Sequence, residues 1–361
     1  MMQRDKLLKK LKSKILQLGL ILGFIIISIG NIPAQNQAGV ILPLFQSESV
    51  IQLRLLADFN QVFANTDDET YFPATLTWDD VTSHRKELEI EIRTRGITRR
   101  MPDICSFTPL RLRFSENGIA NTIFEGQKAI KLVTHCNKAD VYGQNTIIEY
   151  LIYKAFNLLT DSSFKVRPAM INYVYNDQKN DSIQRFAFFI EREKHLAQRL
   201  NGVELDSAKI HPNRLNPYHT CLMDLFQFMI GNTDYSAYEF HNIILVTDEM
   251  QKLPPIAIPY DFDWSGLVSA YYAKPNSRLK TETVQERVYR GFKKPIEIIN
   301  ANIQLFNSKK KEIYDLFNNF ELLKKSEKKR VIKYLDEFYQ IINNERQVKR
   351  EFVENARILH N

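Results

Sequence analysis

The chain has 361 residues, of which 44% are hydrophobic and 25% are charged, and its formal net charge is +7. This balance is typical of a globular protein and excludes a disordered or fibrous one. The first 34 residues carry six basic side chains and one acidic one, which leaves only +2 for residues 35–361. The positive charge therefore gives no support for nucleic-acid binding, and we expect no nucleic-acid partner.

The N-terminus has the pattern of a secretory signal. A basic segment is followed by an apolar run from Leu18 to Ile29, and Ile32-Pro33-Ala34 resembles a cleavage site. The run is shorter than the roughly 20 apolar residues that span a bilayer. We expect a signal peptide over residues 1–34 and a periplasmic or extracellular protein with no other membrane contact. An uncleaved N-terminal anchor is the alternative.

Three cysteines occur in the chain, and their spacing is not that of a zinc site. In an oxidising compartment Cys105 and Cys136 can bridge two neighbouring strands, whereas Cys221 falls on the apolar side of a helix. We therefore predict a Cys105–Cys136 disulfide. The alternative is that all three thiols are buried and unpaired.

The first half of the chain has the pattern of a sheet. Six segments show period-two alternation or enrichment in β-branched and aromatic residues. They are residues 51–59, 87–95, 109–114, 129–135, 164–175 and 183–191. One helix is predicted among them, over residues 145–159, because its apolar residues recur on a single helical face.

After Glu191 the periodicity becomes mostly helical. The predicted elements are helices over 216–230, 294–320 and 325–357, with short strands at 242–247 and 254–260. No low-complexity linker separates the halves. We therefore predict one α+β unit, with a β-rich lobe that contains one helix at 35–191 and a mostly helical lobe at 192–361, ending in a helical C-terminal extension.

A set of polar residues follows the helix over 216–230. Asp234 lies in the next loop, Asn242 opens a short strand, and the second short strand leads into Asp261-Phe262-Asp263. Phosphoryl transfer uses such a set, because one carboxylate orients the attacking hydroxyl while an amide oxygen and another carboxylate hold the metal. The alternative for Asp234 is an ordinary turn residue, since Gly-Asn-Thr-Asp is common turn chemistry.

Three parts of the chain together resemble the spore coat protein H (CotH) kinase family, which has an atypical protein-kinase-like fold. They are EIEIRTRGITRRMPDICSFTPLRLRF, then YLIYKAFNLLTDSSFKVRPAMINYVY with RFAFFIERE, and last GNTDYSAYEFHNIIL with IPYDFDWSG. The segments follow the order and spacing of that family over roughly residues 87–266. The resemblance implies a bilobal kinase-like fold.

The resemblance also implies roles around the metal. Asp234 matches the catalytic-loop aspartate, and Asn242, Asp261 and Asp263 match ligands of Mg²⁺ or Mn²⁺. Asp234 and Asn242 are eight residues apart, whereas the usual kinase loop places these two residues five apart. The loop is therefore expected to bulge by three residues.

Nucleotide contacts are implied for four further positions. Lys131 would contact the phosphates of ATP, and Glu149 on the following helix would pair with it. No glycine-rich phosphate loop is present, but Arg95 and Gly96 belong to a turn rich in arginine that offers bidentate donors to an anion. The alternatives are a solvated Lys131, a Glu149 that pairs with a nearby lysine, and an ordinary basic turn.

Two classes of function follow. The first is a secreted kinase that transfers a phosphoryl group from ATP–Mg²⁺ to a hydroxyl of a protein substrate. The second is a catalytically inactive kinase-like module that binds a partner at the cell envelope. A serine hydrolase has less support, because the chain has no Gly-x-Ser-x-Gly motif.

Overall fold

Strands and helices both contribute to the structure, a computed structural model that describes residues 39–65, 67, 69–80, 82–176, 181–205 and 210–358. The α+β class is confirmed. The expected signal peptide lies outside the described residues. Within the described part, no helix is both long and apolar enough to cross a membrane.

Ten strands are described. They are β1 (Ile51–Ala57), β2 (Phe72–Asp79), β3 (Arg85–Thr94), β4 (Leu110–Phe114), β5 (Ala129–Val133), β6 (Val166–Tyr175), β7 (Ser182–Ile190), β8 (Gly202–Leu205), β9 (Ile243–Asp248) and β10 (Ile256–Pro259). The α-helices are α1 (Phe59–Ala64), α2 (Asp140–Leu159), α3 (Glu193–Arg199), α4 (Pro217–Ile230), α5 (Ile296–Asn319), α6 (Lys325–Ile342) and α7 (Glu345–Lys349), and one π-helical turn follows at Arg350–Glu354.

The first seven strands close into a barrel in the order β1-β2-β3-β4-β5-β7-β6. The parallel pair β1 and β6 closes it, and the other neighbouring strands are antiparallel. Alternate residues point inward, so Leu55, Leu76, Leu112 and Phe189 are completely buried in the barrel core. Closure leaves these strands without a free edge.

A second core forms where α2 packs between the barrel and the later helices. Phe156 of α2 contacts Phe226 of α4 with ring centroids 4.6 Å apart, and Tyr153 contacts Phe262 at 4.7 Å. Strands β8, β9 and β10 form a separate antiparallel sheet in the order β10-β9-β8. Helix α2 thereby brings the barrel next to the hairpin of β9 and β10.

All six predicted strands of the first half are confirmed, but the expectation of one helix in the β-rich part is wrong. Both α1 and α2 lie there, and α2 begins at Asp140, five residues before the predicted start. Strand β2 was not predicted, because Pro73 argues against a strand. Proline is tolerated there because it lies near the start of β2, before the pairing with β1 begins at Ala74.

The long helix predicted over 325–357 is interrupted. Helix α6 ends at Ile342, and Asn344 starts α7 by accepting a hydrogen bond from the amide of Gln347 at 3.1 Å. Asparagine favours such caps over the interior of a helix, because its side chain competes for backbone donors. The pair Asn343-Asn344 therefore divides the predicted helix into two.

The predicted disulfide is confirmed. Cys105 and Cys136 are bonded, with their Cα atoms 4.8 Å apart, and the bond joins two loops at one end of the barrel. Cys221 lies on α4 as a buried free thiol, also as predicted.

His135 is buried at the same end of the barrel. Its ring stacks on Phe107 with centroids 4.2 Å apart and lies 5.8 Å from the ring of Tyr173. Neither ring nitrogen has a hydrogen-bond partner within the described structure. Burial lowers the pKa of His135 to about 3, and the charges of Arg185 and Arg99 act in the same direction.

We expect His135 to make the fold sensitive to acid. The unfolded chain binds a proton near pH 6.5, whereas the folded chain does not until about pH 3, so stability is lost as pH falls through this range. Between pH 7 and pH 4 the loss is about 3 kcal/mol. In urea unfolding, the free energy of unfolding of His135→Leu should fall less than that of the parent between pH 7 and pH 4, by this amount. In the exposed control His84→Leu it should fall as much as in the parent. Equal pH dependence in both variants and the parent would contradict the assignment.

Candidate functional site

The hairpin of β9 and β10 brings two of the predicted metal ligands together. Its register pairs Ile243 with Pro259, and the amide of Tyr260 donates to the carbonyl of Asn242 at 3.0 Å. Asn242 and Asp261 therefore lie at the same end of the hairpin. Both have positive φ, 54° and 61°, which is a strained backbone for residues other than glycine. Such strain is concentrated at functional sites in proteins.

Asp234 is held beside Asn242. Helix α4 ends at Gly231, and the side chain of Asn232 then accepts a hydrogen bond from the amide of Asp234 at 2.9 Å. The side-chain nitrogen of Asn242, Nδ2, donates to the backbone carbonyl of Asp234 at 2.8 Å and to its carboxylate at 3.1 Å. The other carboxylate oxygen lies 2.9 Å from Nε2 of His241.

The residues between Asp234 and Asn242 form a small turn. Ser236 and His241 form an isolated antiparallel bridge, with backbone hydrogen bonds of 2.9 and 3.0 Å in the two directions. The bridge folds the intervening residues into a small turn. The chain thus returns to Asn242 within reach of Asp234 although eight positions separate them.

Asp261 and Asp263 point to different surroundings, because Phe262 between them is buried against Tyr153 and Phe226. The amide of Asp261 donates to the hydroxyl oxygen of Tyr153 at 2.8 Å. Within the described residues, nothing donates a hydrogen bond to the carboxylate of Asp261. Asp263 is buried, and its carboxylate accepts a hydrogen bond from the Tyr272 hydroxyl at 2.7 Å.

Glu149, on α2, joins the two aspartates in one electrostatic cluster. Burial raises the pKa of Glu149 well above its ordinary value, and the charges of Asp263 and Asp261 raise it further. Burial likewise raises the pKa of Asp263 to about 7, with Asp261 as the next cause and Asp234 as a smaller one. The four carboxylates therefore occupy a region that is short of positive charge.

Arg99 is the buried cation nearest this cluster in the described structure. Its Nη2 donates to the carbonyl of Thr134, while its Nε has no hydrogen-bond partner. Arg99, Glu149 and Asp263 line a cavity of about 10 Å³ together with Thr146. Such a cavity holds about one water molecule. The charge of Arg99 lowers the pKa of Glu149 and of Asp263, but burial and the carboxylates outweigh it.

Lys131 has a different partner from the one that the resemblance implies. Its Nζ forms an ion pair with the carboxylate of Glu193 at the start of α3, not with Glu149. Burial lowers the pKa of Lys131, and the charge of Arg95 acts in the same direction. Lys131 also lies over the ring of Tyr260, 5.1 Å from its centre, so its charge remains close to Asp261.

The arginine-rich turn lies near Lys131. Gly96 has φ of +88°, a conformation that favours glycine, and the amide of Arg95 donates to the carbonyl of Pro109 at 2.9 Å. The Arg95 side chain has no hydrogen-bond partner within the described structure. Its charge acts on Lys131, Glu149 and Tyr260. Arg95 and Lys131 thus supply positive charge on one side of the carboxylates.

The residues present fit a magnesium ion that is shared with a phosphate. Among the described residues, no three acidic, histidine or cysteine side chains are placed as a complete metal site. Mg²⁺ does not require such a cage, because it usually binds one or two carboxylates together with substrate phosphates and water. Asp261, with its unpartnered carboxylate beside Asn242, suits a site of this open kind.

Several contacts of the site could not be predicted from the sequence pattern. Tyr153 and Tyr272 serve as hydrogen-bond partners of the Asp-Phe-Asp segment, and Glu193 takes the place expected for Glu149. Tyr153 reads as one more apolar residue of α2, and Glu193 as a first-turn helix residue. Their roles depend on how distant segments pack.

The structure therefore defines an α+β protein with a closed barrel. Next to the barrel, Asn242 and Asp261 lie at one end of a hairpin, close to further carboxylates and basic side chains. The chain matches no protein-family model, and its sequence is similar to no curated protein.

We expect Asp263 to destabilise the fold at high pH. Its folded pKa of about 7 lies above the ordinary value of 3.8, so its contribution to stability is complete below pH 3.8 and is lost as pH rises through 7. Asp263→Asn keeps an oxygen that accepts from Tyr272 but cannot ionise. At pH 8, the free energy of unfolding measured in urea should be higher for this variant than for the parent by up to about 4 kcal/mol. At pH 8 the exposed control Asp79→Asn should stay near the parent, and a less stable Asp263→Asn would refute this view.

Proposed function

We propose that the protein is a kinase-like phosphotransferase, which transfers a phosphoryl group from ATP to a hydroxyl of a protein substrate. In this proposal the barrel corresponds to the N-terminal lobe of a kinase and the helical region to the C-terminal lobe. The observation that carries it is the hairpin of β9 and β10. It sets Asn242 and Asp261 side by side in a strained backbone, with Asp234 hydrogen-bonded to Asn242.

Each polar residue then has a distinct task. Asp234 is the carboxylate that orients the substrate hydroxyl and accepts its proton. Asn242 and Asp261 are the metal ligands, with Asp263 held behind them by Tyr272. When bound, Mg²⁺ would neutralise the negative charge of the phosphate oxygens.

The nucleotide phosphates would lie near Lys131 and Arg95. The charge of Lys131 interacts with Asp261 and that of Arg95 with Glu149, and the Arg95 guanidinium offers a fork of donors that suits phosphate oxygens. Bound phosphate would also draw Lys131 away from Glu193, because a phosphate carries more negative charge than one carboxylate. The N-terminal signal pattern supports action outside the cytoplasm, on a protein substrate or an envelope partner.

One observation favours the alternative of a non-catalytic kinase-like binding module. The carboxylate oxygens of Asp234 already contact His241 and Asn242, and the amine of Lys131 is already paired with Glu193. In a binding module these contacts would be permanent. In an enzyme they would rearrange when nucleotide and metal bind.

Removing Asp261 should abolish metal-dependent nucleotide binding. Asp261→Ala deletes the unpartnered carboxylate, so the fold should persist while calorimetric affinity for ATP with Mn²⁺ falls at least about 100-fold, as for a lost charge-assisted contact. Asp248→Ala is the matched control, because Asp248 ends β9 at the opposite end of the same hairpin. If Asp261→Ala binds ATP and Mn²⁺ as the parent does, the kinase proposal is wrong.

Replacing Asp234 should separate binding from turnover. Asp234→Asn keeps the size of the side chain but removes the proton acceptor, so ATP affinity should stay within about twofold while ADP formation slows at least about 100-fold. ADP release from ATP with Mn²⁺ measures the rate, and calorimetry measures affinity. Parent-like ADP formation would show that Asp234 is not the general base. A parent that binds ATP without forming ADP would favour the binding module.

A further inference from the structure

A segment far along the chain holds the loop that carries Asp234. Residues 287–294, here called the brace, run beside residues 232–236. Nη1 of Arg290 donates to the carbonyls of Thr233 and Tyr235, the latter at 2.8 Å. These carbonyls belong to the residues immediately before and after Asp234. A single guanidinium therefore fixes the backbone on both sides of the carboxylate.

The residue after Asp234 has a second anchor. The hydroxyl of Tyr235 donates to Oδ1 of Asp224 at 3.1 Å, and Nζ of Lys294, in the brace, lies 3.5 Å from Oδ2 of the same carboxylate. Asp224 is buried on α4. The brace and α4 thus hold Tyr235 by its backbone and its side chain together.

The brace is itself fixed by the C-terminal part of the described chain. Phe292 pairs with Arg357 in a parallel bridge. The amide of Arg357 donates to Gly291 at 3.0 Å, and the amide of Lys293 donates to Arg357 at 2.9 Å. A Cβ at Gly291 would lie 2.4 Å from the Tyr289 ring, so only glycine allows this close path. Arg290 therefore projects from a well-supported backbone.

We infer that Arg290 is a positioning residue for Asp234, and that the brace keeps the bulged loop in one conformation. The inference about turnover rests on the proposed function, whereas the inference about loop order does not. The physical need is clear, because the seven residues between Asp234 and Asn242 could otherwise adopt many conformations. Buried carbonyls without donors would also be costly.

Arginine suits this task better than lysine. Its planar guanidinium offers several donors in a fixed arrangement, so one side chain reaches two carbonyls without losing further rotational freedom. A lysine ammonium also carries several donors on one nitrogen, but they rotate freely and do not fix the directions to both carbonyls. We therefore expect Arg290→Lys to restore only part of what Arg290→Met removes.

Hydrogen exchange of backbone amides tests the effect of the brace on the loop and does not require the protein to have any activity. In Arg290→Met, the amides of Ser236 and His241 should exchange at least about 10-fold faster than in the parent, because their bridge loses its support. Arg287→Met is the matched control. Arg287 lies in the same brace but bonds to Met229, Tyr334 and Glu337 and not to the loop. This control should leave the exchange of both amides within about twofold of the parent.

Turnover gives the second arm of the experiment. With ATP and Mn²⁺, Arg290→Met should lower kcat about 10- to 100-fold and leave KM for ATP within about threefold, and Arg290→Lys should recover part of kcat. If the parent forms no ADP, the proposed function fails, and the exchange arm still decides the role of the brace. Unchanged exchange of Ser236 and His241 in a folded Arg290→Met variant would overturn the inference.

A subtler variant covers the case in which Arg290→Met does not fold. Tyr235→Phe removes only the hydroxyl that donates to Asp224. Faster exchange at Ser236 and His241 in this variant supports the anchoring of the loop from α4. Parent-like exchange in Tyr235→Phe, together with an unfolded Arg290→Met, would give Arg290 a role in global stability and would overturn its assignment as a positioning residue.

Discussion

The burial of Glu149 and Asp263 next to Asp261 is the constraint on which the arrangement of the candidate site depends. A carboxylate loses much of its hydration when it is buried, and its neighbours here carry charge of the same sign. The described structure compensates with a buried arginine, Arg99, and with the hydroxyl of Tyr272. This compensation is partial, because the pKa values of both buried carboxyls remain raised. A cation that joins the cluster would remove the imbalance.

Packing of α2 in the second core holds this arrangement rigid despite the repulsion between its charges. Tyr153 contacts Phe262 through its ring and Asp261 through its hydroxyl, so one side chain of α2 fixes the backbone between two carboxylates. Phe156, one turn later, packs on Phe226 of α4. The contacts of Tyr153 thus hold residues more than a hundred positions apart in sequence at a fixed spacing. Dense apolar packing resists the small displacements by which like charges would otherwise separate.

Sequence patterns predicted individual strands and helices of this structure, but they did not predict that the first seven strands close into a barrel. Alternation predicted β1 and β3 to β7, and the short strands predicted at 242–247 and 254–260 are the ones that bring Asn242 and Asp261 together. Barrel closure was not predictable, because the parallel pairing of β1 with β6 depends on segments over a hundred residues apart. The partner of Lys131 was missed for a related reason, since Glu193 reaches it only after β5 and β7 have paired.

The Cys105–Cys136 disulfide supports Arg99, the buried cation beside the carboxylates. The position of this charge therefore depends on whether the two cysteines are oxidised. Arg99 precedes Cys105 by six residues, and Thr134, whose carbonyl accepts from Arg99, precedes Cys136 by two. One covalent bond therefore ties together both partners of that hydrogen bond. A disulfide between cysteines 31 residues apart stabilises a fold by about 4 kcal/mol. A chain whose thiols stay reduced would therefore keep its barrel strands but lose one of the constraints that hold Arg99 beside the buried carboxylates.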